Sequence, residues 1–372
     1  MSFIYLFIFA FLFVASFLEF SNKKVSKQLY ILIVVIMCLT AGLGYALSPD
    51  WVAYFDTFNA LAYVNWSEFG RFAYMAGMEK GYLGLNKILV DYGFDFGMLT
   101  LIVATTSLIL KTTTFYKYGG FPFLVLFIYA MPNFMFEEHV HIRQGLANAI
   151  ALYSIRYVID RNLIKFLICI TIGFQFHESI IVFLLAYWIA PMKFDEKFIG
   201  WLVVFSIIGF YTGLNSIIEI IMDFMPIGQD KFESYQSQLY DQGDGVAVGD
   251  FVKIISILSI IIYNKYAVED KLYCYFRNLF VFGVLLYFFL GKGIFGIRLP
   301  GYYLVFLGLT VGRLVYTFNG DKFKRNFIYL SFVSYTVLLI FWFQVKQAHK
   351  SNFANYKTIF NKEAVYGIWK WN

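Results

Sequence analysis

Two short polar clusters interrupt otherwise apolar sequence: Glu137, Glu138, His139, His141, Arg143 and Gln144, then Gln175, His177, Glu178 and Ser179. An ionisable side chain at membrane depth costs roughly 2.5–3.5 kcal/mol on insertion scales, so such residues mark functional sites. Arginine meets an anion such as phosphate through two parallel hydrogen bonds and keeps its charge at any accessible pH. Histidine exchanges a proton near neutrality, and a carboxylate can accept one. Asp50, Lys292 and Arg298 add further charge near apolar stretches.

The background against which these clusters stand out is a membrane composition. Of 372 residues, 60% are hydrophobic and only 15% charged, with mean hydropathy +0.66. A soluble domain carries about a quarter charged residues. The net charge of +6 lies in short connectors between apolar runs, a pattern of topology and not of nucleic-acid binding. Cys38, Cys169 and Cys274 lack CxxC spacing and are expected to be three buried thiols, without disulfide or zinc. No P-loop and no glycine-rich dinucleotide fingerprint is present. The run DQGDGVAVGDFV at 241–252 has Val252 where a calcium loop needs glutamate, so it reads as solvated acids. No metal and no cofactor is expected.

The elements that must position the clusters follow from hydropathy. Apolar helices are predicted at about 2–20, 29–47, 97–115, 121–136, 142–159, 163–190, 199–221, 251–266, 273–291, 297–317 and 327–345. The first is a retained helix with its N-terminus outside, because no Lys or Arg precedes it while Lys23, Lys24 and Lys27 follow. In 48–96, Trp51, Tyr54, Phe58, Trp66, Phe69 and Phe72 alternate with polar residues, which predicts helices in the interface plane with aromatics at headgroup level. Segments 48–96 and 222–250 are read as external loops and 346–372 as a tail, all within a single integral membrane domain, 1–372, with no internal repeat.

Residues 163–190 are too few for two full spans and long for one, since each needs roughly 20 residues. Basic residues flank both ends, so two short helices turning back near 175–179 are expected. The result is an all-α polytopic membrane protein of about 11–12 transmembrane helices. This parity leaves Lys265, Lys271, Arg313, Lys322, Lys324 and Arg325 inside, but it puts the lysine-rich tail outside, against the positive-inside rule. It also directs Asp50, residues 137–144, the apex 175–179 and Lys292 to Arg298 outward, toward one external cavity at membrane level.

The runs SPDWVAYFDTF at 48–58, EKGYLGLNKIL at 79–89, IRQGLANAIALYS at 142–154, FQFHESIIVFLLAY at 174–187 and RLPGYY at 298–303 resemble, in order, the EpsG/Wzy-type polysaccharide polymerases. The most specific piece is Arg-Gln followed by small residues and, about 30 residues later, Phe-His. The resemblance implies a multi-pass enzyme of the bacterial inner membrane. Such an enzyme joins oligosaccharide repeats carried on undecaprenyl diphosphate at the periplasmic or outer face. It further implies membrane lipid, a chain-length regulator and a flippase as partners.

For that reaction the diphosphate leaving group needs fixed cations, for which Arg143 and Arg298 are the best candidates and Lys292 a third. The acceptor hydroxyl needs a base, for which His177, Glu178 and Asp50 compete, while Gln144, Tyr54 and Glu79 are candidates for sugar contact. Plainer readings stand beside these. Arg143 and Arg298 could be interfacial anchors, and His177 a structural hydrogen-bonder at a helix break. Rival functions are a flippase for lipid-linked oligosaccharide, or a His-dependent membrane acyltransferase. The absence of a repeat weighs against the first, and the second has no use for two arginines.

Overall fold

The computed structural model describes residues 1–22, 26–211, 248–290, 294–346 and 352–360. Among them regular structure is helical apart from one isolated bridge, Gly44 to Thr358. Five of these helices are long and apolar enough to cross a membrane: Phe3–Asn22, Phe96–Tyr118, Lys271–Leu290, Arg298–Thr317 and Lys322–Val345. Lys27–Gly42, Pro122–Glu137, Leu163–Phe174 and Glu178–Ile189 are shorter apolar helices. The chain is an all-α polytopic membrane protein. It divides into two compact units, Met1–Ile181 with Tyr329–Asn372, and Val182–Ile328.

In the first unit, α1 (Phe3–Asn22) packs on α7 (Pro122–Tyr129), and α6 (Phe96–Tyr118) lies between α2 (Lys27–Gly42) and α9 (Ile142–Ile159). The sequence writes the helix starts. Ser26, Ser48, Asp95 and Asn162 each accept a hydrogen bond from the backbone N–H three residues on, at 3.1–3.3 Å. At α7, Glu19 of α1 does the same work from outside, accepting from the N–H groups of Phe123 and Leu124 at 3.0 and 3.2 Å.

Segment 48–96 holds α3 (Pro49–Ala60), α4 (Phe69–Ala76) and α5 (Lys80–Asp91). Trp66 is half exposed, but Trp51, Tyr54 and Phe58 are buried in a core with Tyr82, Phe96 and Leu99 and so do not present their rings to headgroups as expected. Spacings of three and four put these rings on one face of α3. At roughly 1.5–3 kcal/mol per fully buried large side chain, packing outweighs an interfacial seat.

Three further expectations are corrected. The helix predicted at 29–47 stops at Gly42, because residues 43–45 leave it to pair with the C-terminal segment. Tyr45 N donates to Lys357 O at 2.9 Å, and Ile359 N donates to Leu43 O at 3.0 Å. The helix predicted at 121–136 breaks into α7, a π turn at Ala130–Phe134 and the short α8 (Met135–Glu137). Met131, before Pro132, is extended at φ −138°, ψ 121°, as a residue preceding proline prefers. The thiols are not uniformly buried: Cys38 is, whereas Cys169 and Cys274 are half-buried. The expected interruption after α10 (Leu163–Phe174) is present. Residues 175–177 leave the helix, and a 3-10 segment, Glu178–Leu185, follows.

The second unit contains α11 (Ala186–Ile189), α12 (Glu196–Tyr211), α13 (Val248–Tyr263), α14 (Lys271–Leu290), α15 (Ile294–Leu304) and α16 (Phe306–Thr317). α14 is its axis, packed by α12, α15 and α16. Arg277 on α14 is buried and satisfied by Asn264 Oδ1 at 2.6 Å, Asn278 Oδ1 at 2.9 Å and the Phe194 carbonyl at 3.1 Å. Most of loop 222–250 and of tail 346–372 lies outside the described residues. Asp250, read as a solvated acid, is instead fully buried and accepts from the Tyr287 hydroxyl at 2.6 Å.

Candidate active site

Helix α3 and the start of α9 lie against each other through two pairs of side chains. Asp50 and Tyr54, four residues apart, share one face of α3. His141 is the N-cap of α9, and Arg143 follows two residues later. His141 Nδ1 stands 3.1 Å from Asp50 Oδ2, and the Arg143 guanidinium lies 5.4 Å from the Tyr54 ring centroid.

Arg143 is fixed on its other sides by the segment entering α5. Its Nη1 forms an ion pair with Glu79, and the Tyr82 ring centroid lies 5.8 Å from the guanidinium. The other Glu79 oxygen accepts from the backbone N–H of Glu178 at 3.2 Å, and Tyr82 N–H donates to the Gln175 carbonyl at 3.0 Å. Four segments distant in sequence, 50–54, 79–82, 141–143 and 175–178, therefore meet at one end of the first unit. Arg143 and Glu79 are only 17% and 14% exposed. Among the described residues, Arg143 Nε, the Tyr82 hydroxyl and Asn86 Oδ1 are buried without a hydrogen-bond partner. A partly buried charged pair beside aromatic rings has the chemistry to bind a ligand with acceptor oxygens.

A second polar cluster lies beneath. Lys111, fully buried in the middle of α6, donates to Glu137 Oε2 at 2.5 Å, Glu138 Oε1 at 2.6 Å and the Tyr129 hydroxyl at 3.1 Å. Ser107 and Tyr129 donate to Glu138 at 2.9 and 2.7 Å, while Asn133 and Asn148 donate to Glu137 at 2.8 and 2.9 Å. Gly145 is required here, since a Cβ at that position would stand 2.2 Å from the Glu137 carbonyl oxygen. This network pins residues 137–138 to α6 and α9, a few residues before His141 and Arg143.

Of the residues singled out in the sequence, Asp50, Tyr54, Glu79, Arg143 and Glu178 come together, with Gln144 beside them and partly buried. Glu178 joins through its backbone, its side chain being exposed. His177 is buried near the same turn, its Nδ1 2.6 Å from Ser179 Oγ. Arg143, which stands in the first turn of α9, is partly buried and paired with Glu79. Arg298 belongs to the other unit, on α15, and Lys292 lies outside the described residues. Tyr82, Asn86 and Lys111 were missed. A lone lysine midway along an apolar helix was the available signal for Lys111. Among the described residues no three His, Cys, Asp or Glu side chains converge as a metal set.

The EpsG family model matches residues 27–358. No curated protein and no solved structure matches the chain. The matched span begins with the first turn of α2, ends at the bridge to Gly44 and takes in every segment that meets at Arg143. The chain therefore belongs to the EpsG family of Wzy-type polysaccharide polymerases.

Proposed function

We propose that this membrane polymerase joins oligosaccharide repeats carried on undecaprenyl diphosphate at the outer face of the bacterial inner membrane, by glycosyl transfer without a metal ion. The observation that carries this reading is the meeting of Arg143, Glu79, Tyr54 and Tyr82 beside the Asp50–His141 pair. A diphosphate leaving group gathers negative charge as the glycosyl bond breaks, and a preorganised guanidinium in a poorly hydrated setting stabilises that charge more than water does. The partly buried guanidinium of Arg143 is proposed to meet the diphosphate, while its ion pair with Glu79 keeps the fork oriented. By residue type alone, Arg298 and Lys292 are proposed as further cations for the reaction. Tyr54, Gln144 and Glu79 are proposed as contacts to sugar hydroxyls. The acceptor's proton goes to a base at this same end, where Asp50 lies and near which His177 and Glu178 are found. A flippase that delivers the lipid-linked repeat and a chain-length regulator are proposed partners.

The test is the glycan profile of cells lacking this chain, complemented with the wild type or with Arg143→Ala. Single repeats on the surface lipid in the deletion and the variant, with long chains in the wild type, are expected. Accumulation of lipid-linked repeats inside the cell would indicate a lost transporter and overturn the reading. In a cysteine-free background, cysteines introduced at 56, 178 and 357 should react with an impermeant thiol reagent from outside while one at 117 does not. Labelling of 178 only from the cytoplasm would remove the site from the outer face.

A further inference from the structure

We infer that His141, oriented by Asp50, is the base that takes the acceptor hydroxyl's proton; this rests on the polymerase reading above. An ionised carboxylate only accepts hydrogen bonds, so the 3.1 Å contact to Asp50 Oδ2 requires the proton on His141 Nδ1. That tautomer leaves the lone pair on Nε2. Among the described residues Nε2 has no hydrogen-bond partner, and the side chain is 37% exposed. A carboxylate, an imidazole fixed through Nδ1 and an open Nε2 form the arrangement by which a histidine is held ready to receive a proton.

The other two histidines among the described residues are placed otherwise. His139 is buried among Tyr5, Phe134 and Phe353, with Nδ1 3.0 Å from the Phe134 carbonyl. His177 is 9% exposed and engaged by Ser179 through the nitrogen that His141 gives to Asp50. His141 also stands two residues before Arg143, on one turn of backbone. Both side chains meet one face of α3, His141 at Asp50 and Arg143 at Tyr54.

In that step Nε2 takes the proton of the acceptor hydroxyl as its oxygen bonds to the anomeric carbon of the donor sugar. The bond from that carbon to the diphosphate oxygen breaks, and the electron pair leaves with the diphosphate opposite Arg143. The imidazolium then releases its proton to water. Asp50 is a positioning residue that holds the tautomer and stabilises the cation.

The experiment uses the full chain in lipid vesicles, with lipid-diphosphate-linked repeat extracted from cells that lack the protein. His141→Gln keeps a donor for Asp50, and so the link between α3 and α9, but has no basic nitrogen. Its kcat is expected to fall about 100- to 10,000-fold with KM little changed. Added imidazole should restore part of the activity of His141→Ala, which a purely structural role would not allow. Near-normal turnover by His141→Gln would overturn the inference, as would loss confined to His177→Gln. A normal His141→Gln beside an impaired Arg143→Lys leaves the polymerase reading standing and removes only the base. Failure of the wild type to elongate removes both.

Discussion

Gly81 rests directly on Gln175: a Cβ at position 81 would stand 2.4 Å from the Gln175 Cβ and 2.6 Å from its carbonyl oxygen. The same carbonyl accepts from Tyr82 N–H. The contact joins the entry of α5 to the break after α10, and Glu79 bridges the same two segments through the Glu178 N–H. Gly81→Ala is expected to push them apart at a cost of about 1–3 kcal/mol, and to lower polymerisation more than this loss of stability explains. Thermal unfolding and chain-length profiles of the one variant check both halves. Normal activity with normal stability would show that the junction does not position Arg143.

Replacing Arg143 separates geometry from charge. Lysine keeps the charge but loses the fork that serves Glu79 and a ligand together. A contact of this kind is worth about 2–4 kcal/mol in the transition state, so Arg143→Lys should lower the rate on the order of 30- to 1000-fold, with Arg143→Ala at least as low. Long-chain glycan measured at matched protein level decides it. Full activity in the lysine variant would reduce Arg143 to an interfacial anchor.

The network under the site makes a prediction about stability. Lys111→Met leaves Glu137 and Glu138 buried without their cation, and removing one partner of a buried pair costs about 3–5 kcal/mol. Changing both glutamates to glutamine in the same chain should recover much of that loss, because the uncompensated charge goes with them. Melting curves of the single and triple variants in detergent test the pairing. Equal destabilisation in both would mean that shape, not charge, holds the turn.

His139 lies in the turn between α8 and α9, and burial holds its pKa down at about 4. The unfolded chain binds a proton below about pH 6.5 that the folded chain refuses, so stability is complete above that pH and declines as pH falls toward 4. From pH 6.5 to 5 this amounts to about 2 kcal/mol. His139→Phe preserves the ring contacts and removes the titration. The difference in melting temperature between pH 7.5 and 5 should shrink in that variant, and an unchanged difference would assign the acid sensitivity elsewhere.

Much of the architecture was legible because hydropathy reports burial in lipid and in protein alike. The spans around 2–20, 97–115, 273–291, 297–317 and 327–345 each contain a helix of membrane length, and the break near 175 followed from flanking lysines and insufficient length. What hydropathy does not encode is which apolar face meets protein. Trp51, Tyr54 and Phe58 were therefore read as lying at headgroup level although they build a core. At the candidate site, residue type singled out Arg143, Glu79 and Asp50, but their contacts join positions 64 and 91 residues apart, and no local rule gives these. Lys111 was hidden by the opposite effect, since the apolar run around it drew attention to length and away from its single charge.

The pairing of 357–359 with 43–45, together with the Tyr356 hydroxyl on the Thr40 carbonyl, joins residues more than three hundred positions apart. During synthesis, α1 to α9 enter the membrane long before their last neighbour has been made. Over that interval the backbone of 43–45 lacks its partner, and Tyr5 and His139 lack the ring of Phe353. The end that carries Arg143 is thus closed late. A chain that stalls before residue 352 lacks every one of these contacts.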